Sequence, residues 1–84
     1  MTLPTIHLNG TDATDLLGAT LDAYRAISSA RDVLRRTAPH GRDYYPQGEH
    51  AIHQAGEEYR ARVAALETVM AELDAIAAHL VEVR

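Results

Sequence analysis

The side chains best suited to chemistry sit in one stretch, HGRDYYPQGEHAIHQ, from His40 to Gln54. His40 and Arg42, with Arg35 shortly before them, bring imidazole and guanidinium donors together, a combination that suits a phosphate or another small anion. Tyr44 and Tyr45 lie in a segment bounded by Gly41, Pro46 and Gly48. One ring can pack beneath the neighbouring helices while the other faces solvent as a stacking platform, or both can plug the end of a helical bundle. His50 and His53 are three apart, and His53 and Glu57 four apart, so each pair shares a helical face and could chelate zinc in principle. No HExxH motif and no third strong ligand accompany them, and no metal site is expected. The chain also lacks a G-x-S-x-G elbow, a P-loop and any cysteine nucleophile, so we expect neither an enzyme nor a bound cofactor.

The elements that must position these residues are two helices in an all-α chain. With 84 residues and no cysteine, there is one domain at most and no disulfide to support a small core. The opening MTLPTIHLNG has no basic segment followed by an apolar run, and no stretch approaches the roughly 20 apolar residues of a membrane span. A soluble cytoplasmic protein is the expectation. A net charge of −4 disfavours wrapping extended nucleic acid, which requires a cationic face.

Asn9-Gly10 marks a turn, and Thr11 is the expected N-cap, followed by Asp12 and Asp15 in the first turn. Leu16, Thr20, Ala23, Ile27, Ala30 and Leu34 recur at helical spacing, with Leu17, Leu21 and Tyr24 beside them. The first helix therefore spans 11–37 and stops before Ala38-Pro39, with Gly41 available for a positive φ. After a loop over 38–47, a second helix runs over 48–84, with Gly56 as its weak point. Its heptads place Ile52, Tyr59, Leu66, Leu73 and Leu80 at d, and Gly56, Val63, Met70 and Ala77 at a. Val69, Ile76 and Val83 widen this face at g, beyond what one partner helix covers.

The predicted architecture is an antiparallel helical hairpin that assembles into an oligomeric bundle, with an extended arm over 1–10. A short connection would set Leu34 opposite Ile52, and Leu16 to Leu21 near Leu66 to Met70. The C-terminal turns then overhang and must be covered by the arm, whose Leu3, Ile6 and Leu8 alternate like a short strand, or by another chain. The expected oligomer contact is Leu17, Leu21, Tyr24, Val69, Met70, Leu73, Ile76, Leu80 and Val83.

Charge separates the two ends. Arg31, Arg35, Arg36 and Arg42 face only Asp32 between residues 31 and 42, whereas Glu67, Glu72, Asp74 and Glu82 have no basic neighbour between 63 and 83. A net-negative chain with arginine concentrated at one end can bind a discrete anion while repelling polyanions.

TIHLNGT at 5–11 together with GRDYYPQG at 41–48 resembles the IHxNGT and GRDYYPQ-type motifs of small, functionally unassigned bacteriophage and prophage proteins built as helical hairpins. His40 stands where that pattern has Asn. The resemblance covers nearly the whole chain and implies a phage origin. Small phage proteins that form compact oligomers often act against host defences, some by holding nucleotide immune signals between subunits, and this chain is similar to them in size and organisation. An antiparallel neighbour would set His7 and Asn9 of one arm beside Arg42, Tyr44 and Tyr45 of the other chain, with His40, Arg35 and His53 nearby. We therefore expect a homo-oligomer that sequesters a small nucleotide-like anion. The alternatives are an adaptor or inhibitor of a host defence protein, and a minor virion or assembly component.

Overall fold

The computed structural model describes all 84 residues, and every regular element in it is helical. Helix α1 spans Ala13–Leu34, a short α2 spans Gly41–Tyr44, and α3 spans Glu49–Val83. Single 3₁₀ turns follow α1 at Arg35–Thr37 and α2 at Tyr45–Gln47. No segment forms a strand, so the arm is extended without being part of a sheet.

The N-cap of α1 falls one residue later than expected. Asp12, not Thr11, is the N-cap, and its carboxylate accepts from the backbone N–H groups of Thr14 and Asp15 at 3.0 and 3.2 Å. A carboxylate satisfies two free donors and also meets the positive end of the helix dipole, which a hydroxyl does not match. The far end behaves as Pro39 dictates. Ala38 sits at φ −53°, ψ 130°, outside the helical region.

The connection is not the open loop expected over 38–47. His40 caps α2 through Nδ1, which accepts from Arg42 N at 3.1 Å, so Gly41 begins a helix instead of turning left-handed. Gly48, at φ 98°, is the one residue with positive φ, and α3 starts immediately after it. The chain thus completes several helical turns before it reverses.

That connector resets how the two long helices meet. Leu17 packs with Ala77 and Leu80, and Arg31 Nη1 lies 3.9 Å from Glu67 Oε2, so the helices run in opposite directions. The expected partners of Leu16 to Leu21 were Leu66 to Met70. The pair is displaced by about ten residues, close to three turns of α-helix. Thus the C-terminal turns of α3 do not overhang. They lie against the start of α1, while the first turns of α3 extend beyond the end of α1 and are flanked by the connector.

The core is short and sits at the arm end. Leu17, Ala77 and Leu80 form it, with Ile6, Leu16, Leu21 and Ile76 packed around them. Leu80 is fully enclosed at 0% exposure. Thr20 is buried beside this cluster and satisfies its own hydroxyl by donating to Leu16 O at 2.8 Å. The arm is held by Ile6 and by His79, whose Nε2–H donates to Pro4 O at 2.9 Å. At its tip Gly10 N donates to His7 O at 3.1 Å, closing the expected Asn9-Gly10 turn. A Cβ at Gly10 would come within 2.9 Å of His7 Nε2, so a larger residue there would push the exposed imidazole aside. Leu8, at the apex, is 98% exposed.

The result is a rod of 61 × 21 × 18 Å with a radius of gyration of 18.4 Å. A compact chain of this length would have about 12 Å. Only 7 of 84 residues are buried, because two long helices and a strap enclose little volume between them. No helix is long and apolar enough to cross a membrane.

Candidate functional site

The residues with binding chemistry meet at the connector end of the rod. Pro39 and Ala38 lie against Ile52, His53, Gly56, Tyr59 and Arg60 of α3, enclosing a groove of about 390 Å³. Next to it, Tyr45 and Gly41 face Gly48, Glu49, Ile52 and His53 across a second groove of about 470 Å³. Ile52 and His53 line both, so the two grooves adjoin along the first three turns of α3.

Each part of this surface follows from a local rule. Pro46 in the 3₁₀ turn fixes φ, and Gly48 makes the reversal that brings Tyr45 over the start of α3. His53 is one turn from Glu49, and Arg60 one turn from Gly56, so the spacing that forms the helix also places them along one groove. Gly56 leaves the floor open. A Cβ there would sit 3.2 Å from Arg60 Nη1, so the guanidinium occupies the room a side chain would otherwise take. Tyr44 is half-buried, whereas Tyr45 is 78% exposed and presents a free aromatic face.

The expected ligand residues separate into three sets. Tyr45 and His53 line the grooves, and Arg42 and Tyr44 are in α2 beside them. Arg42 makes no ion pair, while Arg35 is engaged with Asp32 at 3.4 Å on an exposed turn. His40 is committed at Nδ1 to capping α2, which leaves only Nε2 for any other contact. His7 and Asn9 belong to the arm turn at the opposite end. Leu80, beside the arm, is separated from Ile52 by about 42 Å of helix at 1.5 Å per residue, so one chain cannot unite the two sets.

Sequence reasoning missed Ile52, Glu49, Tyr59 and Arg60 as site residues. Tyr59 and Ile52 read as ordinary d positions. The signal was available in Gly56, whose missing side chain marks a close approach on a helix with no other breaker. No three His, Asp or Glu side chains converge to hold a metal ion.

Among the expected interface residues, Leu17, Met70 and Leu80 are buried within the single chain. Leu21, Tyr24, Leu73 and Ile76 are half-buried, and Val69 and Val83 are exposed. Tyr24 also borders a smaller groove of about 260 Å³ with Arg31, Glu67, Met70 and Asp74. There the buried Arg31 Nε has no hydrogen-bond partner. Glu67 approaches the guanidinium only at Nη1, at 3.9 Å, which is beyond hydrogen-bond range, and leaves Nε without a partner.

No protein-family model, curated protein or solved structure matches this chain, so the reading of the site rests on its own geometry.

Proposed function

We propose that this is a non-enzymatic binding protein whose connector-end groove takes a small planar anion of the nucleotide type and withholds it from solution. In a phage setting that activity would antagonise a host defence that signals through nucleotides, in the host cytoplasm. One observation carries the reading: the exposed Tyr45 lines a groove with Ile52 and His53, which also line the adjoining groove of Tyr59 and Arg60, and the unpaired Arg42 lies in the neighbouring turn. Aromatic faces stack on bases without regard to their identity, and guanidinium groups match phosphate oxygens in pairs. The weakly acidic chain makes the site selective for small ligands, since extended polyanions meet repulsion along the rest of the rod.

Native mass spectrometry with cyclic and linear nucleotides tests the proposal. Binding should disappear in Tyr45→Ala and Arg42→Ala while helix content is unchanged, and the bound nucleotide should be recovered intact. Absence of binding at millimolar ligand retires the reading, and recovery of a cleaved nucleotide retires its non-enzymatic part.

A further inference from the structure

We infer that two copies of this chain pair side by side and antiparallel, the connector end of each lying along the arm end of the other. The first argument is area. A compact chain of 9.2 kDa exposes roughly 4,900 Å², and this one exposes 6189 Å². The excess of roughly 1,300 Å² exceeds the ~800 Å² per partner that a stable interface buries.

The apolar part of that surface is ordered. Val69, Ile76 and Val83 recur every seven residues along α3, beside the inward-facing Met70 and Ala77. On α1, Ile27 and Leu34 recur at the same interval and remain half-buried. The arm reaches the body at the core cluster, where Ile6 packs, and at His79, which bonds Pro4 O. At mid-rod Val69 stays exposed and Ile27 only half-covered.

Charge selects the occupant and its direction. The helix pairing sets residues 31–65 at the connector half and residues 1–30 with 66–84 at the arm half. The connector half carries six arginines against five carboxylates, the arm half two against seven. Their side-chain charges are +1 and −5. Parallel copies would lay like charge on like, whereas an antiparallel copy sets each arginine-rich half against an acidic one. The same arrangement brings His7 and Asn9 of one chain toward Arg42 and Tyr45 of the other. That last consequence alone rests on the proposed ligand site; the pairing stands on area and charge.

Light scattering and small-angle X-ray scattering test this on the unliganded protein. The expected species has twice the chain mass, keeps a long dimension near 61 Å, and dissociates more readily in molar salt. Val69→Glu, at a side chain 40% exposed, should weaken association about tenfold or more with helix content unchanged. Val33→Glu, also exposed but outside this flank, should leave it intact. Because the chain has no cysteine, single replacements report direction. Ala65→Cys, near mid-rod, should cross-link to itself on oxidation and Val83→Cys should not. A monomer, or self-linking at Val83→Cys, overturns the inference whether or not nucleotides bind, and nucleotide binding by a monomer would leave the proposed function standing without it.

Discussion

At the arm end, Leu80 has no contact with solvent, Leu17 and Ala77 pack against it, and the strap residue Ile6 closes the cluster. At the connector end the one buried residue is Ala55, and the larger side chains Ile52, Tyr59 and Leu34 are only half-covered. The arm end holds most of the buried apolar area, and hence most of the stability. The connector end trades enclosure for an open, arginine-bearing groove. A small chain with little core has divided the two demands between opposite ends of one long helix, where a site can stay exposed without opening the core.

The sharpest way to break that contrast is to truncate one apolar residue at each end. Leu80→Ala should lower unfolding free energy by about 2–5 kcal/mol in urea titration, a large part of the total for a chain this small. Ile52→Ala should cost clearly less, because its surroundings are already open to water. Equal losses would mean that the two ends contribute alike.

Next in size is the strap. His79→Ala removes the hydrogen bond to Pro4 O and should cost about 0.5–1.5 kcal/mol, with faster amide exchange along the end of α3 against which the arm packs. Exchange that stays slow there would show that Ile6 alone holds the arm.

At the connector, His40→Ala should cost about 1 kcal/mol through loss of the α2 cap, while His40→Asn should be close to neutral because Asn caps as well. NMR shifts of residues 41–44 would separate the two variants.

Gly56→Ala should stabilise α3 by up to about 1 kcal/mol, since only the flexible end of Arg60 must move. It should also weaken ligand binding, because the methyl group enters the groove. The smallest effect on stability belongs to Tyr45→Ala, within about 0.5 kcal/mol for a side chain already in water, although binding should be lost. Chemical denaturation and calorimetric titration on the same samples check both.

Much of the fold was legible from periodicity. Leu16 to Leu34 and Ile52 to Leu80 recur at helical spacing, and Pro39 and Gly48 bound the connector, so the two long helices could be read within a few residues. Of the site, the tyrosine pair and Arg42 were visible as residue types out of place in a helical repeat. The roles of His40 and Gly56 were not, because one depends on a cap geometry and the other on which neighbour fills the space beside it.

Register lay outside what the pattern could decide. A heptad repeat is satisfied equally by a partner displaced by whole turns, so Leu17 could have met Met70 as readily as Leu80 by that rule alone. The connector settled it. By coiling into α2 and two 3₁₀ turns before reversing at Gly48, it displaced the helices by about three turns, enclosed the C-terminal apolar residues of α3, and left its first turns flanked by the connector grooves. Local residue preferences determined which segments are helical and where they stop; the path of the connector through space determined which apolar residues are hidden and which polar ones share a groove.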